Sequence, residues 1–317
     1  MQCQRCTGEQ FVKDGRDRQG RQLYQCRTCR RRMTTRSSSA FSGYRYPDEI
    51  IALAVRWYLR YRLSYAEVAE WLAERGVHVD PSTIYNWVRA FTPCFIAAAR
   101  RHRSSVGRRW RVDETYLKIG ARWRYLYRAI DEHGQIIDVF LSDRRNADAA
   151  CTFFRQAIEV DGTTPTRVTT DKAKSYLKAL RMLLPEVEHR SSKYLNNGLE
   201  RDHQHLKGRV RPMRRFKQTA SASNFCRGHT LIRNLIRGHS TLTSTVPVSQ
   251  RLVAAWATLA TTLCFSSTRP ALSPPHRSNT VDLSTTQRNH LGSNCCLNIY
   301  SSVACPTFTS ALPCRLS

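Results

Sequence analysis

The sequence predicts a mixed α/β domain preceded by two small modules, a ribbon held by four cysteines and an all-α helix-turn-helix unit. Three observations predict this. Two Cys-x2-Cys pairs stand in an arginine-rich opening segment with little apolar material. From Pro47 to Ala90 apolar residues, among them Ile50, Ile51, Leu53, Ala54 and Trp57, recur at helical spacing. From Trp110 the pattern turns to alternating strand-like runs interleaved with helical ones, in the order βββαβαα, which belongs to a mixed α/β fold.

The opening module spans residues 1–36. Cys3-x2-Cys6 and Cys26-x2-Cys29 are separated by 19 residues, a spacing that lets four thiolates close a tetrahedron around one zinc ion. Each two-residue gap lets a tight turn present both sulfurs, and metal binding folds a segment too small to stabilise itself hydrophobically. Four protein ligands leave no open position, so the Zn²⁺ is expected to be structural. The alternative is four unconnected thiols. Arg5, Arg27, Arg30, Arg31 and Arg32 crowd the same segment, where phosphate contact is expected.

Ser37-Ser38-Ser39 reads as a linker into the second module, residues 37–104. Ser64 as N-cap with Glu67 three residues on forms a capping box that opens a helix ending before Gly76. Asp80 as N-cap, with Pro81 at the first helical position, starts a second helix through Ile84-Tyr85-Asn86-Trp87-Val88-Arg89. In a helix-turn-helix the second helix enters the major groove with its N-terminal residues at base edges. That makes Ser82, Thr83, Tyr85, Asn86 and Arg89 DNA-binding candidates. An ordinary helical hairpin is the alternative.

The third unit, residues 105–239, begins with strands at Trp110 to Ile119, Trp123 to Asp131 and Gln135 to Leu141, with Glu132-His133-Gly134 as a turn. A helix from Ala147 to Ile158, a strand from Arg167 to Thr170, and helices from Lys174 to Leu184 and Gly198 to Lys207 follow. From 240 to 317 the composition shifts to Ser, Thr, Leu and Pro, with Asp282 the only acid. Apart from a helical stretch at Leu252 to Leu263, little order is expected there, and a frameshifted or read-through extension would have this composition.

Three acids stand out. Asp113 shares one strand face with Thr115, Leu117 and Ile119, while Glu114 points the other way. An unpaired carboxylate on an apolar face costs several kcal/mol, so it persists where a cation compensates it. Asp171 repeats the situation at the end of a short buried-type strand. Glu200, with His203 or Gln204 and Lys207, lines one face of a helix. Several carboxylates together suit Mg²⁺ or Mn²⁺. Two such ions about 3.5–4 Å apart can activate the attacking oxygen and stabilise the leaving one in phosphodiester transfer. The bland readings are a salt-bridged strand acid for Asp113, a turn cap for Asp171, and a capping box with Asn197 for Glu200.

The charge balance chooses the substrate. Lys and Arg number 51 against 24 Asp and Glu, a net +27 and a pI near 10.3, which calls for a polyanionic partner. A carboxylate pair without metal would suit glycoside hydrolysis, but the surrounding Lys and Arg favour a phosphate substrate. No segment has the roughly 18 uncharged apolar residues that a spanning helix needs, so no membrane partner is expected. The opening residues lack the apolar stretch of a secretory signal, so a reducing cytoplasm is the expected location, and the DNA partner adds the expectation of nucleoid association.

The stretch Trp110 to Arg215 resembles the DDE transposases of bacterial insertion sequences, in particular the small IS-six family. The matching words are Val112-Asp113-Glu114-Thr115, Thr170-Asp171-Lys172-Ala173 and Lys193-Tyr194-Leu195-Asn196-Asn197-Gly198-Leu199-Glu200-Arg201-Asp202-His203, continuing to Leu206-Lys207 and Phe216-Lys217. The resemblance implies a ribonuclease-H-like, retroviral-integrase-like catalytic core with Asp113, Asp171 and Glu200 as Mg²⁺ (or Mn²⁺) ligands and Lys207 at the DNA. It further implies binding to terminal inverted repeats and target DNA, and work as a homo-oligomer in a synaptic complex. The interval between Asp171 and Glu200 holds 28 residues, several fewer than is usual in the family. Arg209, Arg211, Arg214, Arg215 and Lys217 are expected to neutralise the DNA backbone. The rival from another class is a DNA-binding remnant or regulator that uses only the ribbon and helices.

Overall fold

The computed structural model describes residues 3, 5–17, 20–171, 173–191, 197–213 and 216–265. Arg214, Arg215, Lys172, the stretch 192–196 and the tail from 266 onward lie outside the described residues.

At the N-terminus, β1 (Phe11–Arg16), β2 (Gln22–Cys26) and β3 (Arg32–Thr34) form a three-stranded antiparallel ribbon. Three helices follow: α1 (Asp48–Arg60), α2 (Tyr65–Ala73) and α3 (Pro81–Arg100). The predicted caps are in place. Ser64 and Glu67 exchange backbone hydrogen bonds, and the Asp80 carboxylate accepts from the Ser82 amide. The second of these helices runs on to Arg100 through Pro93, well past the predicted stretch, because Phe91 and Phe95 beyond it are fully buried.

The sheet comprises β4 (Arg109–Ile119), β5 (Arg122–Ile130), β6 (Ile136–Ser142), β7 (Arg167–Thr170) and β8 (Glu188–Ser191), in the order β6-β5-β4-β7-β8. β5 is antiparallel to both β4 and β6, whereas β7 is parallel to β4 and β8 parallel to β7. This is the ribonuclease-H-like arrangement that the family resemblance implies. α4 (Ala147–Asp161) and α5 (Lys174–Leu183) cover one sheet face through Phe153, Phe154 and Tyr176. α6 (Asn197–Val210) and α7 (Thr219–Arg237) follow. β8 escaped the sequence reading because its residues, Glu-His-Arg-Ser, are polar and mostly exposed, as an edge strand protected by charge should be.

α7 joins what the sequence divides. It packs against α1 and α3 on one side and β6 on the other, so the helical module and the sheet share one apolar core rather than parting at 104/105. A Cβ at Gly228 would lie 2.7 Å from Leu59 Cδ2 and 2.8 Å from Thr92 Cγ2, so the close approach of α7 requires glycine. The helical stretch expected at Leu252 to Leu263 is present, and the expectation of little order around it is corrected only for 240–250, where Thr241–Thr243 forms a short 3-10 turn that buries Thr243. α8 (Arg251–Cys264) buries Leu252, Trp256, Leu259 and Leu263, stacks Trp256 on Phe95 at 4.1 Å, and donates from Trp256 Nε1 to the Ala52 carbonyl. Its apolar stripe finds a partner in α1 and α3, which composition alone does not reveal.

Candidate active site and metal centres

The parallel pairing of β4 with β7 builds the site. Arg109 faces Arg167 and Arg111 faces Thr169. Extended by two residues, that register sets Asp171 abreast of Asp113. Neighbouring strands lie about 4.8 Å apart, so two acids at the same level on adjacent strands must meet. Carboxylate oxygens of Asp113, Glu114 and Asp171 all lie within 4.8 Å of one another.

Negative charge accumulates here. Burial, together with the charges of Glu114, Asp171 and Glu200, raises the Asp113 carboxyl to about 7. One Asp113 oxygen accepts from the Glu114 amide at 2.9 Å, and the other lies 3.9 Å from His203 Nδ1. Burial and the nearby Arg128 and Lys207 lower His203 to about 3, which keeps the imidazole neutral. Asp171 divides its two oxygens: Oδ1 accepts from the Ala173 amide at 3.0 Å, the turn-cap role, and Oδ2 lies 3.4 Å from Arg145.

Arg145 and Glu114 were not anticipated as members of the site. Glu114 does sit on the opposite strand face, yet its carboxylate is reached by the Arg145 guanidinium and by the Tyr176 hydroxyl, which donates to it. Arg145 thus spans two of the three acids. The signal was present: a second acid on an apolar strand demands a cation by the same reasoning applied to Asp113.

Glu200 is exposed in the first turn of α6, one turn before His203, and its charge is felt at Asp113, but it is not among the carboxylates gathered within 4.8 Å. The Asn197 side chain, its capping rival, lies outside the described residues. α6 is docked by its buried Asp202, which pairs with Arg237 and Arg233, while Arg128 donates to the Asp202 carbonyl.

The donor chemistry fits two different metals. Hard carboxylate oxygens in an acid-rich cluster suit Mg²⁺ or Mn²⁺. In the ribbon, the sulfurs of Cys3, Cys6, Cys26 and Cys29 lie within 4.8 Å of one another, with Cys3–Cys29 at 3.4 Å and Cys6–Cys26 at 3.5 Å. A zinc–thiolate tetrahedron has edges of about 3.8 Å. Backbone amides of Arg5 and Cys6 hold Cys3 down to about 6, while, despite the Gly8 amide, burial and the neighbouring sulfurs push Cys6 up to about 12, so the four thiols do not ionise alike.

Of the remaining candidates, Ser82 is exposed and Thr83, Asn86 and Arg89 are partly exposed near the start of α3. Tyr85 is likewise partly exposed, edge-on to Tyr65 and 3.4 Å from the Ser221 hydroxyl on α7. Arg211 and Lys217 are exposed and Lys207 partly so. Arg209 is a correction: it is buried, donates to the Tyr58 carbonyl and lies 5.3 Å over the Phe225 ring, so its guanidinium ties α6 to α1 and α7 rather than facing a phosphate.

The profile for a DDE domain of IS240-type transposases matches residues 107–239. The transposase for insertion sequence-like element IS431mec of Staphylococcus aureus strain N315 is 38% identical over 193 residues, covering 59% of this chain and 84% of that protein. The transposase for insertion sequence element IS257 in transposon Tn4003 of S. aureus is 37% identical over the same shares. Among solved structures, the HTLV-2 integrase catalytic core domain in complex with magnesium is similar at 17% identity and a TM-score of 0.28, covering 49% of this chain and 87% of that one. With 84% of the staphylococcal transposase spanned at 38% identity and the DDE profile lying over the sheet and its acids, the chain belongs to the IS-six family of DDE transposases.

Proposed function

We propose that the protein cuts and rejoins DNA at the ends of an insertion sequence in a reaction that depends on divalent metal. The observation that carries this is the cluster of Asp113, Glu114 and Asp171, acid-rich and short of cations in a chain of net charge +27. Asp113 and Asp171 hold Mg²⁺ or Mn²⁺, and Glu200, on the adjoining helix, completes the ligand set. When bound, the metal supplies activation of the attacking oxygen and stabilisation of the leaving one. Neutral His203 backs Asp113, and Asp202 fixes the helix that carries Glu200. Glu114, committed to Arg145 and Tyr176, supports the site rather than ligating.

Zn²⁺ on Cys3, Cys6, Cys26 and Cys29 holds the ribbon (1–36), whose arginines meet phosphates. In the helical module (37–104), Ser82, Thr83, Asn86 and Arg89 face the terminal inverted repeats, and Lys207, Arg211 and Lys217, with Arg214 and Arg215, contact the backbone beside the catalytic unit (105–239). The protein works in the cytoplasm, at the nucleoid, as a homo-oligomer that brings element ends and target DNA together.

Mg²⁺-dependent nicking of an end-labelled element terminus tests this. Asp113→Asn should lower cleavage roughly a thousandfold or more, the loss of several kcal/mol of metal stabilisation, while end binding persists. Retained cleavage would reject the assignment, and binding without any cleavage by the unaltered protein would leave a DNA-binding remnant. Glu200→Gln should match Asp113→Asn; if Glu114→Gln did so instead, Glu114 would be the third ligand.

A further inference from the structure

β4 and β5 extend beyond the helices that cover their face. On that face Glu114 stands opposite Tyr127, Tyr116 opposite Tyr125, and Lys118 opposite Trp123. Tyr127 is sealed under Phe153 and Tyr176. Two and four residues further along the cover ends: Tyr116 is 46% exposed and Trp123 59% exposed. Exposed aromatic rings of this size are costly to leave in water and, grouped together, mark a binding surface.

The strip is cationic and continuous with the acid cluster. Arg145, which bridges Glu114 and Asp171, also lies 3.5 Å from the Tyr116 hydroxyl. Lys118 lies 5.7 Å over the Trp123 ring, and Arg122 is exposed at the turn. Asp143, the acid that follows β6, is paired with Arg124 at 2.6 Å. The hairpin is braced from below: Gly120, at φ 57, donates to the Phe216 carbonyl at 2.7 Å, which brings exposed Lys217 beside the tip.

We infer that this uncovered strip is a stacking platform for an unpaired DNA strand leading to the acid cluster, with one base seated on Trp123, one on Tyr116, and the intervening phosphates met by Lys118 and Arg145. The inference rests on the DNA reading above and adds to it the form of the DNA. Tyr116 on β4 and Trp123 on β5 are diagonal neighbours across the strand pair, a relation that sets side chains about 7–8 Å apart, roughly twice the 3.4 Å rise per nucleotide of a stacked strand. Bases seated on both rings must therefore be unstacked from one another, which a duplex does not offer. Aromatic rings flanked by cations are the means by which proteins grip separated strands without reading sequence. A second copy of this chain would bring the same cations face to face, so charge favours DNA over self-association.

Three hairpin DNAs of one sequence test this with the full-length protein and no added divalent metal: one blunt, one with a single-stranded tail, and one whose tail is abasic. The base-bearing tail should bind more tightly than the abasic one. Trp123→Ala and Tyr116→Ala should each erase that preference, weakening tailed binding about fivefold to a hundredfold while leaving blunt affinity unchanged. Trp123→Phe should keep most of it, which guards against misfolding. Equal binding of the two tails by the unaltered protein, or an equal loss on blunt and tailed DNA in Trp123→Ala, overturns the inference. So does a variant that changes only the sedimenting size, which would assign the strip to contact between copies. Failure to bind even the blunt hairpin would instead sink the DNA reading itself.

Discussion

Two charged clusters meet α6, one at its own Asp202 and one at Asp113 on β4 beside His203, and they are built in opposite ways. Around Asp202 a single fully buried acid faces Arg233 and Arg237, with Arg128 on its carbonyl. Around Asp113, carboxylates of Asp113, Glu114 and Asp171 converge, and Arg145 alone among the described residues bridges two of them. The first cluster is complete within the chain and fastens a helix. The second sets three carboxylates against one arginine, and burial first, then the neighbouring acids, push the Asp113 carboxyl up to about 7. A charged residue on an apolar face therefore has two opposite meanings, and the count of countercharges separates them.

The contrast can be broken most severely at Asp202. Asp202→Ala leaves Arg233 and Arg237 without their acid and should cost about 3–5 kcal/mol of stability, with or without Mg²⁺. Denaturant unfolding checks this, and a loss that metal restores would mean that the two clusters are not independent. Arg145→Ala should cost less, about 1–2 kcal/mol in metal-free protein because the arginine is partly exposed. It should also tighten Mn²⁺ binding, because a competing cation has been removed. Calorimetric titration that showed weaker binding would make Arg145 a partner of the metal rather than its rival.

The smallest effect concerns acid. His229 is buried, and its pKa is lowered well below the usual 6.5 by burial and by Arg128, Arg233 and Arg209. The unfolded chain therefore takes up a proton below 6.5 that the folded one refuses, so the stability is present above 6.5 and is lost as pH falls. One such group contributes at most about 1.4 kcal/mol per pH unit. His229→Leu should flatten the stability profile below pH 6.5 by that share. An unchanged slope would show that His229 is not the group responsible.

Much of this was legible beforehand because local chemistry carried it. The cysteine spacing, the Ser64 and Asp80 caps and the alternation around Asp113 are signals within a few residues of each other. The meeting of Asp113 with Asp171 was readable only in outline, since it depends on the parallel register of β4 and β7. Burial of Arg209 and the contact of Tyr85 with Ser221 depend on α7, and the docking of α8, though not its helicity, depends on a groove built from α1 and α3. A cation at the surface and a cation between helices look alike in sequence. The difference lies in whether a carbonyl and a ring wait for it, which long-range packing decides.

Divalent metal binding at Asp113 and Asp171 is the most direct test. With the ribbon loaded with zinc, titration of Mn²⁺ should show binding in the unaltered protein that Asp113→Asn and Asp171→Asn each abolish while the fold, read by circular dichroism, is unchanged. Binding that survives both substitutions would contradict the account, because the acids would then be fastening the sheet rather than holding a metal.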